Sequence, residues 1–325
     1  MNKHLFTIVV LFLLVPVFLS CIPEEDIPDA CVLPNDSIIT ADSYSTDTHS
    51  TDTHSTDIGI VASVRIEKYM DQNSAGNSVQ GAAVFGDYMF QFQDKNHQVF
   101  IYDLKNRSFH SSVKMNSNGN NHCNNASFST VYYSEDDIFP LLYVSGSSIG
   151  TFNQVQVYRV IYTGNTFRFD KVQEIVLPKS TSENCLYWTG VIMDNDNDYM
   201  YVYANHKGAQ ICKFAIPDIN SETVMLADED ILDRFTLEPF IHQQGATCMN
   251  NQLYIMDGVP AWGDTVYLHI IDLKKQNKIV RLDLSSHGFI FEPEGLDFYN
   301  GQLMCATNSS KGIFTISINN SNRDE

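Results

Sequence analysis

The sequence predicts an all-β fold, a five-bladed β-propeller, and three observations support the prediction. Five segments share one pattern, in which a small or glycine-containing stretch leads into an apolar strand, a polar turn and an alternating strand. The first and last segments contain Gly81 and Gly295, which are 214 residues apart. Four equal steps over this interval are about 54 residues each, the length of a four-stranded blade. The last segment lacks an outer strand, and residues 60–69 have the alternation needed to supply it.

The individual strands follow from apolar alternation between polar turns. The predicted first and second strands of the five units are residues 80–84 and 87–92, 125–128 and 140–145, 189–192 and 199–203, 244–247 and 252–256, and 294–297 and 302–306. The predicted third strands are residues 99–104, 155–162, 211–216, 266–273 and 313–318. A fourth, outer strand follows in each of the first four units, for example at residues 172–177 and 278–284.

Ring closure distinguishes this fold from its alternatives. Pairing of residues 60–69 with residues 313–318 would close the ring and leave no exposed sheet edge. A six-bladed propeller and a β-sandwich of similar strand count are the alternatives, and the equal spacing favours five blades. Residues 226–235 are the only stretch that looks helical, and they lie between the third and fourth units.

The first 20 residues have the layout of an export signal. A short basic start at Lys3 and His4 precedes an apolar core, residues 5–19, which is shorter than the roughly 20 apolar residues of a membrane span. The segment ends Val-Phe-Leu-Ser before Cys21, and this string resembles the lipobox of bacterial lipoproteins. The resemblance implies cleavage before Cys21, lipidation of that cysteine and anchoring to a membrane through the attached acyl chains.

Residues 21–58 are predicted to form a flexible tether. The acidic run Glu24-Glu25-Asp26 resembles the surface-export signal of Bacteroidota lipoproteins, which implies the outer face of the outer membrane; a plain solvated tether is the alternative. The polar repeat at residues 45–54 cannot bury enough apolar surface to offset its ordering entropy. The predicted organisation is a signal peptide (1–20), a linker (21–58), a propeller (59–320) and a polar tail (321–325).

The net charge and the cysteine content limit the partners and ligands that the protein could have. The formal net charge is −19, which argues against nucleic acid as a partner. The absence of any C-x-x-C pair excludes a zinc ribbon, and buried free thiols are expected, although export also permits disulfides whose pairing the sequence does not define. The cysteines after Cys21 are Cys31, Cys123, Cys185, Cys212, Cys248 and Cys305. We expect a monomer attached to the membrane through Cys21.

The candidate site lies at one mouth of the channel. In a propeller, the loops that lead into the first strands and the loops between second and third strands converge there. The candidate catalytic residues on this face are Glu292, Glu294, His122 and His242. The candidate ligand-binding residues are Gln80, Asn124, Tyr187, Trp188, Gln244, His206 and Trp262. Convergent polar, titratable and aromatic groups are typical of a ligand site, whereas simple hydration of polar residues around a crowded axis is the alternative.

The chemistry of these side chains suggests two kinds of activity. Glu292 and Glu294 could bind a divalent cation, or one could act as a general acid with His122 or His242 as the base. Tryptophan faces at this mouth suit stacking against sugar rings. The residues that open the five first strands differ from unit to unit, which favours a single asymmetric site. They are Gln80, Asn125, Thr189, Gln244 and Glu294.

Two short segments of the sequence match known motifs in part. Residues 291–296 (Phe-Glu-Pro-Glu-Gly-Leu) resemble the glutamate-bearing strands of gluconolactonase-like and phytase-like propellers, which implies a hydrolase, but the matching asparagine and aspartate metal ligands are missing. Residues 194–198 are rich in aspartate, yet the glycine and glutamate that an EF-hand loop needs are replaced by Tyr199 and Asn205. The sequence therefore predicts a propeller that binds or processes an extracellular glycan or a similar polar ligand, with hydrolase or lyase chemistry if it is an enzyme. A non-catalytic interaction or scaffold propeller is the alternative.

Overall fold

The computed structural model describes residues 61–73, 78–94, 98–115, 122–148, 152–178, 188–205, 209–308 and 311–320. Within these ranges the chain forms 21 β-strands in five sheets, so the predicted five-bladed propeller is confirmed. Among the same residues, no helical segment has the length and apolar character needed to cross a bilayer. The predicted signal peptide, linker and tail lie outside the described residues.

Each blade is one sheet whose innermost strand begins the unit. Blade 1 consists of β2 (Val79–Phe85), β3 (Tyr88–Gln93), β4 (Gln98–Asp103) and β5 (Ser108–Lys114). Blade 2 consists of β6 (Ala126–Phe128), β7 (Leu142–Ser148), β8 (Phe152–Thr163) and β9 (Thr166–Val176), with β13 (Thr223–Met225) added in parallel to β9. Blade 3 consists of β10 (Trp188–Asp194), β11 (Tyr199–Asn205), β12 (Ala209–Ala215) and β14 (Asp233–Leu237). Blade 4 consists of β15 (Gln243–Met249), β16 (Gln252–Asp257), β17 (Tyr267–Asp272) and β18 (Asn277–Asp283).

Blade 5 contains both ends of the described chain. It is formed by β19 (Pro293–Tyr299), β20 (Gln302–Thr307), β21 (Ile313–Asn320) and β1 (Val61–Met70), which is its outer strand. The β1 and β21 strands pair antiparallel along their whole length, from Val61 opposite Asn320 to Met70 opposite Ile313. The prediction that residues 60–69 complete the last blade is therefore confirmed.

An apolar cluster fills each of the five gaps between neighbouring blades. The cluster between blades 1 and 2 is mainly aromatic, and its Phe90 and Phe128 rings have centroids 5.4 Å apart. The cluster between blades 5 and 1 joins the last unit to the first through buried side chains such as Met304 and Met89. Because every sheet packs on two neighbours around a ring, the sandwich and six-bladed alternatives do not apply. The four described cysteines, Cys123, Cys212, Cys248 and Cys305, are free thiols.

The one helical expectation was wrong. In place of a helix at residues 226–235, only Asp228–Asp230 form a single 3₁₀ turn, and β14 follows at once. The three acidic residues of this turn are exposed and none of its residues is buried. A helix needs a continuous apolar face to pack, whereas the Phe235 side chain lies on a strand that completes blade 3.

Close packing at the axis is made possible by glycine. A Cβ at Gly81 would lie 2.5 Å from the Asn125 Cα, and a Cβ at Gly295 would lie 2.4 Å from the Ala82 Cβ. Gly190 and Gly245 occupy the equivalent positions of blades 3 and 4, and neither has room for a Cβ. Blade 2 has Asn125 instead, which is fully buried and whose side chain makes hydrogen bonds to blades 3 and 4.

The amide of Asn125 holds three blades together. Its Nδ2 donates to the carbonyl oxygens of Val191 (2.7 Å) and Ala246 (3.0 Å), and its Oδ1 accepts from the Ala246 N–H (3.1 Å). The expected alignment of Asn125 with Gln80 is therefore wrong by one residue. Two residues after the shared axial position, Ser127 and Asp297 each accept a hydrogen bond from a backbone N–H of the next blade. Asn124, not Asn125, corresponds to Gln80.

Candidate functional site

Several predicted site residues meet at the channel mouth, where the inner strands begin. Gln80 Nε2 donates to Glu294 Oε1 (3.3 Å), which joins blade 1 to blade 5. Glu292 Oε2 accepts from Asn308 Nδ2 (2.8 Å) in the loop after β20. On the other side, His122 Nδ1 lies 2.8 Å from Asp94 Oδ1, so the imidazole donates to the carboxylate. The mouth cluster consists of Gln80, Asp94, His122, Glu292, Glu294 and Asn308.

Burial and neighbouring negative charges raise the pKa of the Glu294 carboxyl group. The residue is only 1% exposed, and burial raises its pKa well above the usual value of 4.5. The negative charges of Glu292 and Asp94 raise this pKa further, and a hydrogen bond from Asn308 partly offsets them. Burial and neighbouring negative charges both favour the neutral form of a carboxyl group. A raised carboxyl pKa is a property that general acids share.

Blade repetition explains why these side chains converge. Gln80, Gln244 and Glu294 each stand directly before an axial glycine, so their strands present them at the same height. The residue after the second strand makes the same backbone hydrogen bond in three blades. Asp94 N donates to the Ser78 carbonyl and Asn308 N to the Glu292 carbonyl, both at 3.0 Å, and Gly258 N donates to the His242 carbonyl at 2.8 Å. Asn308 was not among the site residues predicted from the sequence. Its equivalence to Asp94 in the repeat was the signal that could have found it.

His242 belongs to a second group at the mouth. Its Nδ1 lies 2.6 Å from Asp264 Oδ2, and its ring centroid is 4.7 Å from that of Trp262. Trp262 is 70% exposed, so its indole face is open to a ligand. The His242 backbone N–H donates to the buried Asp257 (2.7 Å), which also accepts from His269 Nε2 (3.1 Å). Of the four candidate catalytic residues, three lie in the mouth cluster and His242 lies in this second group.

Fewer contacts are defined for the remaining candidate site residues. The Gln244 backbone carbonyl accepts from the Tyr203 hydroxyl (2.9 Å), and Asn124 is half-buried beside Gly81. Trp188 begins β10 opposite Ala204, but its side chain is not described. Three candidates lie outside the described residues: Cys21, Tyr187 and His206.

The described residues were also considered as ligands for a metal ion. In the described part of the chain, no three His, Cys, Asp or Glu side chains are arranged to hold one. Divalent cation binding by Glu292 and Glu294 therefore stays a prediction.

Comparisons with known proteins give similarities of fold. No protein-family model and no curated protein sequence matches the chain. The crystal structure of Myxococcus xanthus glutaminyl cyclase is 12% identical, with a TM-score of 0.49 over 79% of this chain and 97% of that one. A protein of unknown function from Bacteroides thetaiotaomicron is 11% identical (TM-score 0.46, 79% and 76% covered). The PQQ-bound aldose sugar dehydrogenase of Streptomyces coelicolor is 10% identical (TM-score 0.44, 79% and 99% covered).

Proposed function

We propose that this protein is a surface-anchored propeller lipoprotein that binds an extracellular glycan at its channel mouth and cleaves it by acid–base chemistry. The observation that carries the proposal is the buried Glu294 carboxyl, whose pKa is raised, set among Glu292, Asp94 and His122 at one end of the channel. Cleavage of a glycosidic bond needs a proton on the leaving oxygen and a second group to activate water or to stabilise positive charge. Glu294 supplies the proton in this proposal.

The other groups of the mouth have matching roles. Asp94 orients the His122 ring, which leaves Nε2 free to act as a base in this proposal. Asn308 orients Glu292, whose carboxylate would face the developing positive charge of the sugar. The exposed face of Trp262 suits packing on the C–H face of a pyranose, with His242 beside it as a hydrogen-bonding partner for hydroxyls. The mouth thus offers an acid, a base and a stacking surface.

Replacement of Glu294 by Gln tests the acid role. Glutamine has the shape of the protonated carboxyl and can still meet Gln80, but it cannot give up a proton. We expect turnover of polysaccharides to fall by about 100-fold or more, the usual contribution of a general acid. The measurement is release of reducing ends across a polysaccharide panel, with binding followed on a glycan array. Glu222→Gln is the matched control, because Glu222 is exposed and directly precedes β13 in blade 2.

The pH dependence of stability provides an independent check on the same variant. Folding favours the neutral form of Glu294, so its contribution to stability is complete below pH 4.5 and is lost as the pH rises towards the raised folded pKa. Glu294→Gln should remove this loss, and the variant should gain stability relative to wild type as the pH rises. Unchanged turnover in a folded Glu294→Gln protein would contradict the acid role. Binding of glycans by the wild type without any turnover would favour a non-catalytic interaction propeller.

Membrane attachment is tested at Cys21. In the proposal this cysteine carries the acyl chains, and each buried CH₂ contributes about 0.8 kcal/mol to membrane binding. We expect Cys21→Ala to abolish lipid labelling and to move the protein from the membrane pellet to the soluble fraction. Carbonate-washed membranes and labelling with a fatty-acid analogue measure this, with Cys31→Ala as the control. Retention of the Cys21→Ala protein in the washed pellet would overturn the anchor.

A further inference from the structure

The opposite end of the channel contains a separate cavity. It has a volume of about 310 Å³ and is lined by residues of all five blades, including Ser127, Thr247 and Asp297. Asp297 lies three residues after Glu294 on β19, about 10 Å further along the strand, and the buried Asn125 amide fills the axis near the glycine level above it. This cavity is therefore distinct from the mouth cluster. Its volume is near the lower limit of small-molecule sites, which are about 300–1,000 Å³.

Among the described residues that line the cavity, Asp297 is the single carboxylate. Its Oδ1 accepts from Thr247 Oγ1 (2.9 Å) and from its neighbour Phe298 N (2.8 Å), and its Oδ2 accepts from Val84 N (2.6 Å). A carboxylate has about four acceptor positions, so Oδ2 retains one for a ligand. Loss of hydration raises the pKa of Asp297 to about 6, and these three hydrogen bonds limit the rise. The group is consequently mostly ionised at neutral pH.

The charge of Asp297 has no cationic partner in the wall. None of the described residues that line the cavity is Lys, Arg or His. Phe85 and Phe128, with ring centroids 5.4 Å apart, form an aromatic part of the wall, and Tyr132 stands at the cavity 44% exposed. Aromatic faces attract cations and also accept apolar groups. Ser127 Oγ, also in the wall, accepts from Met193 N (3.2 Å).

These features distinguish between two kinds of cation. A divalent metal ion needs several oxygen ligands, and the wall supplies one carboxylate; no metal-binding group occurs among the described residues. An organic ammonium ion needs one counter-ion and an apolar wall for its carbon skeleton. We propose that the cavity at the far end of the channel binds a small molecule with a primary ammonium group, which pairs with Asp297 while its apolar part packs on Phe85, Phe128 and Tyr132.

Three isosteric probes test the proposal on the full chain. Benzylammonium, benzyl alcohol and benzoate share a ring and differ in charge, so calorimetric titration with each isolates the role of the carboxylate. We expect benzylammonium to bind at least about 10-fold more tightly than benzyl alcohol, since a charge-assisted hydrogen bond replaces a neutral one. Benzoate should not bind. Equal affinities for the three probes, or binding of none of them, would overturn the proposal.

Variants then assign the binding to this cavity. Asp297→Asn should weaken benzylammonium binding by at least about 10-fold, and Tyr132→Ala, at an exposed position that should not disturb folding, by several-fold. Glu294→Gln should leave it unchanged, so that failure of the glycan proposal and failure of this one are separable. If Asp297→Asn does not fold, the comparison of the probes on wild type together with Tyr132→Ala decides. Benzylammonium binding that is insensitive to both Asp297→Asn and Tyr132→Ala would refute the site.

Discussion

Deletion of the chain through Tyr69 is expected to abolish cooperative unfolding. The deletion removes most of β1, and with it the ladder to β21 and the partly buried side chains of Val64, Ile66 and Tyr69. It also removes the hydrogen bond from the Tyr69 hydroxyl to the Leu104 carbonyl (2.8 Å) that joins blade 5 to blade 1. Together these losses are on the order of 5 kcal/mol, a large part of the 5–15 kcal/mol that stabilises a typical domain.

A matched truncation separates the strand from the segment before it. Deletion through Asp57 leaves β1 intact and should melt like the full chain, whereas deletion through Tyr69 should give a broad transition at much lower temperature. Calorimetry and far-UV circular dichroism measure the two transitions. A synthetic peptide of residues 61–72 should restore part of the cooperativity by pairing with the exposed edge of β21. Identical melting of the two truncations would show that β1 does not hold the ring closed.

Asn125→Asp replaces one side-chain nitrogen by oxygen. We expect it to destabilise the protein more than any other replacement of this kind at the axis. The Nδ2 of Asn125 donates to two carbonyl oxygens, those of Val191 and Ala246. An aspartate would place a carboxylate oxygen against both carbonyls at a position with no solvent exposure. Burial of an unpaired charge costs several kcal/mol in practice, and we expect about 4 kcal/mol or more in the free energy of unfolding.

Comparison with two further variants identifies the cause of the destabilisation by Asn125→Asp. Asn125→Ala loses these two hydrogen bonds and also the one that Oδ1 accepts from the Ala246 N–H, but it adds no charge, so its cost should be about 2–4 kcal/mol. Asn124→Asp changes the half-buried neighbour and is the matched control, with little expected effect. Urea titration at pH 7 measures all three, and lowering the pH should recover part of the stability of Asn125→Asp as the new carboxyl is protonated. Equal stability of the Asp and Ala variants would refute the electrostatic explanation.

The number and order of the blades could be predicted because a blade is a local repeat. Alternation of apolar and polar residues indicates which face of a strand is buried, and the spacing of turns indicates the length of each hairpin. The prediction also included the closing strand, since a unit that ends after β21 leaves an edge that residues 60–69 match in pattern. The helix expected at residues 226–235 was wrong because a short acidic turn next to a strand contains too few residues to show a reliable apolar period.

The sequence by itself determined the blade count, the closing strand and the end of the channel at which Gln80, Glu292 and Glu294 stand. Only the tertiary structure decided which of those side chains meet: Glu294 contacts Gln80, 214 residues away, through closure of the ring. The position of Asn125 at the axis and the cavity around Asp297 also depend on how five inner strands pack against one another. The physical reason is that repeat patterns are local, whereas burial, pairing and pKa arise from neighbours that are distant in the chain.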